Sequence, residues 1–339
     1  METIRVNVKD YPYDVIIGEN LLSEINNFID HKGKVLIISD DGIPYDYVTR
    51  VFSCFKQAYV KIFKKGEINK SLNTYTEIMN VLLVNNFDRH DAIIALGGGL
   101  TSDLAGFVAA TYMRGIKFYV IPTTVLSQVD ASIGGKVAVN FHGYKNLIGN
   151  FYQPAKVIID TNTLLSLDKR LYSEGFAEVI KMAAIFDEEF FTSLEKDNLQ
   201  IDEIIYRSLL IKKNVVELDE KEKGLRKILN FGHTIGHAIE SLSNGKLLHG
   251  EAVAIGMLYC SEGEARERLM NLLQRYNLPI NDDYSTEAIM KMLPHDKKKS
   301  GDFISVILCK RIGEYEIKDL ALEEIEDLIR RNKDEKLIG

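Results

Sequence analysis

Asp91-Ala-Ile-Ile-Ala-Leu-Gly-Gly-Gly-Leu-Thr-Ser-Asp103 is the stretch whose reading decides the fold. Its first half is a short unbroken apolar run, which predicts a strand buried on both faces of a parallel sheet. Three glycines follow, and helical spacing is predicted over 101–113. A strand that ends in glycines and opens a helix lets the backbone approach a phosphate and aims free N–H groups at it. The same residues also suit a plain tight turn, with Thr101, Ser102 and Asp103 capping the helix.

Working outward, Lys34-Val-Leu-Ile-Ile-Ser39 reads as a second buried strand. It ends at Asp40, which suits a ribose hydroxyl or a turn cap. Strands are predicted at 3–8, 13–17 and Lys117–Pro122, with helical patterns at 20–31 and Ser71–Asn86. Strands alternating with helices predict an α/β domain over residues 1–165. After Asp160 the spacing turns helical: Glu174–Ile185, Ile201–Leu218, Phe231–Leu242 and Glu251–Arg268. A strand pair is expected at Phe303–Cys309 and Glu314–Ile317, and a charged helix at Glu323–Arg331. Residues 166–339 are therefore expected to form a mainly α-helical second domain.

The 339 residues carry a net charge of −7, which disfavours nucleic acid as a partner. Three cysteines, Cys54, Cys260 and Cys309, stand far apart, as expected of reduced core thiols. No run approaches the ~18 apolar residues of a membrane span. Met1–Asp10 alternates like a strand and lacks the apolar centre of a secretory signal. A cytoplasmic protein with no membrane partner is the expectation.

Three of the seven histidines, His233, His237 and His249, fall within a short interval. His233 and His237 are four apart, on one face of a helix. Imidazoles with a carboxylate suit a divalent metal and leave room for substrate. Glu178, Glu240 and Glu251 are each possible as the carboxylate, and helix-packing histidines are the alternative. Glu178 and Lys181 are spaced for an ion pair. Lys136 follows Gly134-Gly135, and Lys145-Asn146 follows Gly143, which suits either an anion site or surface turns.

Taken together, the segments resemble the 3-dehydroquinate synthase family, among the sugar phosphate cyclases, over nearly the whole chain. The resemblance is carried by Gly97-Gly-Gly-Leu-Thr-Ser-Asp-Leu-Ala-Gly-Phe107, Ala110-Thr-Tyr-Met-Arg-Gly115 and Ile121-Pro-Thr-Thr-Val-Leu-Ser-Gln-Val-Asp130. Ser132-Ile-Gly-Gly-Lys136, Lys145-Asn-Leu-Ile-Gly149 and Ala177-Glu-Val-Ile-Lys181 continue it. Leu229-Asn-Phe-Gly-His-Thr-Ile-Gly-His-Ala-Ile-Glu240, Leu248-His-Gly-Glu251 and Asp296-Lys-Lys298 complete it.

The resemblance implies a Rossmann-like NAD-binding N-terminal domain and a helical C-terminal domain holding a divalent metal, zinc or cobalt. It implies conversion of 3-deoxy-D-arabino-heptulosonate 7-phosphate to 3-dehydroquinate and phosphate, with NAD reduced and reoxidised within each turnover. The metal ligands it implies are Glu178, His233 and His249, with His237 an acid/base group. Asp130, Lys136, Asn146, Lys181, Lys212, Arg226, Asn230 and Lys297 or Lys298 would contact substrate. Asp40, Gly98, Gly99, Asp103, Thr123, Thr124 and Lys145 would contact the nucleotide. Arg114 would reach the phosphate of substrate held by a partner subunit, implying a homodimer. The chain departs from the family pattern at Ser102 in the turn, at Leu171 and at Asp168. The alternatives are another sugar phosphate cyclase, an NAD- and metal-dependent polyol dehydrogenase of related fold, or a binding protein without chemistry.

Overall fold

Five short apolar runs stack side by side to make the centre of the first half of the molecule. The computed structural model describes residues 1–293 and 303–334. It divides into two units, Met1–Asp168 with Ile201–Lys221, and Lys169–Gln200 with Glu222–Gly339.

The strands of the first unit are β1 (Glu2–Val6), β2 (Tyr13–Gly18), β3 (Val35–Asp40), β4 (Ala58–Phe63), β5 (Ala92–Gly97), β6 (Lys117–Pro122), β7 (Lys136–Phe141), β8 (Tyr144–Phe151) and β9 (Lys156–Asp160). Seven form one sheet in the order β1-β2-β9-β6-β5-β3-β4. Only β1 runs antiparallel; every other pairing is parallel. Val35–Ile38 and Ala92–Leu96 are fully buried, which is why these strands read as continuous apolar runs rather than alternating ones. The chain leaves β3 toward β4 on one side, then crosses to β5 on the other. Asp40 and Gly97 therefore end neighbouring strands at the sheet's switch point, where open α/β sheets bind ligands.

β7 and β8 form a separate hairpin. His142 and Gly143 at its tip both have positive φ, 47° and 84°, the backbone that matches the twist of two strands joined by two residues. The helix Ile201–Leu218 packs against β1 and β2 and so groups with the first unit, although its sequence lies among the helices of the second. Among the described residues, no helix is long and apolar enough to cross a membrane.

The second unit is built of helices Lys169–Phe186, Glu188–Lys196, His233–Leu242, His249–Tyr259, Gly263–Arg275, Thr286–Met292 and Leu322–Asp334. One antiparallel pair accompanies them, β10 (Phe303–Leu308) and β11 (Glu316–Ala321). Residues 174–185 of the first helix are buried on every side, so it runs through the centre of the unit. Cys260 and Cys309 are buried as well, and burial pushes both thiols up to about 12, leaving them as core groups.

Several elements differ from the sequence expectations. The helix expected over 20–31 is shorter, a 3-10 turn Leu21–Glu24 followed by one α turn Ile25–Phe28, entered through Asn20 at φ 59°. The stretch 251–268 is two helices, broken at Ser261-Glu262 and re-entered at Gly263 with φ 54°. Tyr45–Ser53, β4, β7, β8 and β9 were not anticipated.

Candidate active site

The three histidines come together because two helices approach through glycine. Helices His233–Leu242 and His249–Tyr259 touch where a Cβ on Gly256 would lie 2.0 Å from Gly232 O and one on Gly236 2.9 Å from Ala252 O. Only hydrogen fits there. The approach brings ring nitrogens of His233, His237 and His249 within 4.8 Å of one another.

Glu178 meets them from the central helix, its side chain 2% exposed. Its Oε1 lies 3.5 Å from His233 Nε2 and 3.8 Å from His249 Nε2, while Oε2 faces Lys181 Nζ one turn on. Oε1 has no hydrogen bond among the described residues. Each ring is turned by its other nitrogen: His233 Nδ1 lies 3.1 Å from Phe231 O, and His249 Nδ1 3.0 Å from Glu240 Oε2. Both rings thereby present Nε2 to the same carboxylate oxygen.

The other two carboxylates that sequence allowed are committed elsewhere. Glu251 is held by Arg170 at 2.6 and 2.7 Å and by Leu248 N at 2.8 Å. Glu240 holds His249. A tetrahedral cation with bonds of about 2.0–2.2 Å places its ligand atoms roughly 3.3–3.6 Å apart. The donor set of two imidazoles and one orphaned buried carboxylate oxygen therefore fits a divalent metal in chemistry; the 3.5 Å separation matches that spacing and the 3.8 Å one is slightly longer.

The electrostatics of the two rings differ. Burial, together with the nearby Lys181 cation, holds His233 well below the usual imidazole range, and the neutral ring is the one that binds metal. Burial also pulls on His249, but the hydrogen bond to Glu240 and the nearby Glu178 outweigh it and raise its pKa. His237 lies beside both, with ring centroids 5.2 Å from His233 and 5.5 Å from His249.

Other expected residues of this unit surround the cluster in sequence. Lys181 and Arg226 are buried, and Asn230 Nδ2 donates to Glu222 Oε1 at 3.1 Å. Lys297 and Lys298 lie outside the described residues.

In the first unit the helix Gly99–Thr111 starts from Gly98 with no side-chain cap. This corrects the capping alternative: Thr101, Ser102 and Asp103 lie within the helix, three to five residues beyond its N-cap Gly98. Thr101 instead donates to Asp40 Oδ2 at 2.8 Å, and Asp40 Oδ1 accepts from Gly42 N at 3.0 Å. Asp40 thus ties the end of β3 to the glycine turn. Thr123 N donates to Gly97 O at 3.0 Å, and a Cβ on Gly98 would lie 3.3 Å from Thr124 Cγ2. The hydroxyls of Ser102 and Thr123 are buried without a hydrogen-bond partner among the described residues. An uncapped helix start at a switch point, with two orphaned hydroxyls beside it, fits a nucleotide's phosphates.

One group there escaped the sequence reading. Lys70, 4% exposed, sets its ammonium against both Asp103 Oδ2 and Asn146 Oδ1. It links a residue expected at the nucleotide to one expected at the substrate. Its sequence surroundings, Glu67-Ile-Asn-Lys70, have no periodicity to mark it. Burial raises the pKa of Asp103, and Lys70 opposes that rise. Lys212 pairs with Asp130 at 2.7 Å. Lys136, Lys145 and Asn146 stand exposed on the β7–β8 hairpin. Arg114 is exposed on a turn of three consecutive positive φ values, Met113 48°, Arg114 69° and Gly115 121°.

The family model for the 3-dehydroquinate synthase N-terminal domain matches residues 60–174, and that for the C-terminal domain residues 175–299. The chain is 42% identical to 3-dehydroquinate synthase of Lactococcus lactis subsp. cremoris, over 97% of this chain and 99% of that protein. It is 40% identical to the 3-dehydroquinate synthase of Clostridium botulinum, over 95% of this chain and 99% of that protein. Among solved structures, a 2-deoxy-scyllo-inosose synthase complexed with carbaglucose-6-phosphate, NAD+ and Co2+ matches with a TM-score of 0.88 and 27% identity. That match covers 97% of this chain and all of the other.

Proposed function

The chain belongs to the 3-dehydroquinate synthase family, and on that premise we propose that it converts 3-deoxy-D-arabino-heptulosonate 7-phosphate to 3-dehydroquinate and phosphate, as a carbon–oxygen lyase. The observation that carries the reading is Glu178 Oε1, buried, without a hydrogen bond, and facing Nε2 of both His233 and His249. NAD, when bound, supplies a reversible hydride acceptor for the substrate's C5 carbinol, and a divalent cation, zinc or cobalt, supplies Lewis acidity at neighbouring oxygens.

Glu178, His233 and His249 would hold the cation. Asp40, Gly98, Gly99, Asp103, Thr123, Thr124 and Lys145 would hold the nucleotide in the first unit. His237 takes and returns the C5 hydroxyl proton. Lys136, Lys181, Lys212 and Arg226 neutralise the substrate's carboxylate and phosphate. Asp130, Asn146 and Asn230 fix its hydroxyls, so that one conformation is held for ring closure. Lys297 or Lys298 would add a further cation. Arg114, raised on its left-handed turn, would serve the phosphate of substrate in a second copy of the chain, which makes the working form a homodimer.

The test is phosphate release from the heptulosonate phosphate with catalytic NAD and added zinc or cobalt. The expected result is many phosphates per NAD with no net NADH. NADH accumulating with a simple polyol, and no phosphate, would move the chain to the dehydrogenase branch of the fold.

A further inference from the structure

We propose that Glu240 is a positioning residue of the metal site: by accepting a hydrogen bond from the Nδ1–H of His249 it fixes that ring with Nε2 toward Glu178. The inference rests on the metal reading above. Glu240 lies on the helix that carries His233 and His237, seven residues beyond the first and three beyond the second. These offsets share one helix face. That helix therefore supplies one ligand itself and orients another ligand on the neighbouring helix.

The geometry is specific. Glu240 Oε2 stands 3.0 Å from His249 Nδ1, and the Glu240 side chain is 15% exposed, so water competes little for the bond. His249 is more open, at 32%, and sits at the first residue of its helix. There it lacks a preceding helical turn to restrain its ring. His233 needs no such partner, because Phe231 O, only two residues back, turns its ring. A carboxylate on the far nitrogen selects the tautomer and strengthens the ring as a donor.

The test is titration of the metal-free full chain with Co2+, followed by visible absorption and calorimetry. The variants are Glu240→Ala, Glu240→Asp, Glu240→Gln and His249→Ala. Glu240→Ala and Glu240→Asp, which remove or withdraw the oxygen, are expected to weaken Co2+ binding about 10–100-fold. Glu240→Gln keeps an acceptor oxygen in place and is expected to stay close to the parent. NAD affinity should be unchanged in all of them. Parental Co2+ affinity in Glu240→Ala and Glu240→Asp, with binding lost in His249→Ala, would overturn the role of Glu240 and leave the metal site standing. So would a Gln variant as weak as the Ala variant. Parental affinity in His249→Ala would sink both readings together.

Discussion

Lys212 Nζ lies 2.7 Å from Asp130 Oδ1 and also touches the Asp130 main-chain oxygen. The cation is buried, while the carboxylate is about a quarter exposed. Each residue thus restrains the other before any substrate arrives. Lys212→Met is expected to lower kcat/KM on the order of 10²-fold, through loss of its own charge at the substrate and misplacement of Asp130. Loss of the charged hydrogen bond should cost about 1.5–3 kcal/mol of stability, toward the lower end because Asp130 is partly solvated. Steady-state kinetics beside urea unfolding would separate the two effects.

Gly256→Ala touches no proposed ligand, yet it should damage the metal site. Its Cβ would lie 2.0 Å from Gly232 O, so the two histidine-bearing helices must part. Overpacking of this kind costs about 1–3 kcal/mol, and the displaced His249 should lose metal affinity. A variant that keeps both its melting temperature and its Co2+ affinity would show that the helix contact has slack.

His233 gives the metal-free protein a pH signature. Its folded pKa is held well below the ordinary value, first by burial. Below about pH 6.5 the unfolded chain takes up this proton and the folded chain does not. Stability contributed by His233 is therefore present above that pH and declines as pH falls, by up to ~1.4 kcal/mol per pH unit. His249, with its raised pKa, works in the opposite sense: its contribution is present below about pH 6.5 and is lost as pH rises through the folded value. In urea unfolding of metal-free protein between pH 5 and 7, His233→Gln should flatten the acid loss. An unchanged slope would mean that the ring is protonated in the folded state.

Asp282 anchors the last helix. Its side chain is fully buried, paired with Lys333 at 2.9 Å and accepting from Tyr259 OH at 2.6 Å and Tyr284 N at 3.0 Å. Asp282→Ala strands these groups, and breaking such a pair costs about 3–5 kcal/mol. Because Lys333 keeps partial solvent contact, the lower figure is expected. Thermal unfolding, together with faster proteolysis of Leu322–Asp334, would check it.

How much of this was legible in the sequence depended on whether a residue's neighbours were local. β3, β5 and β6 announced themselves because burial on both faces leaves no polar position in the run. β8 did not, since its residues are exposed on both faces apart from a partly covered Ile148, and nothing alternates. Tyr45–Ser53 is rich in aromatic and β-branched residues, which carry little helix preference, yet Val48 and Val51 pin it to the core. His233 and His237 were visible as a spacing. The choice of Glu178 over Glu251 and Glu240 was not a matter of spacing, because it turns on Arg170 and His249, which claim the other two. Lys70 was invisible for the same reason: its partners are far away in sequence.

The excursion of Ile201–Leu218 back to β1 and β2 bears on how the chain is made. As it leaves the ribosome, the first unit cannot finish when its sheet is complete at Asp160. It must wait for a helix that emerges only after Lys169–Gln200 has been synthesised. Cutting the chain after Asp168 would release a sheet whose β1–β2 end is uncovered, so a dissection that respects the molecule has to keep residues 1–221 together. The order of translation and the order of assembly are not the same, and the waiting sheet is where a chaperone would find apolar surface to hold.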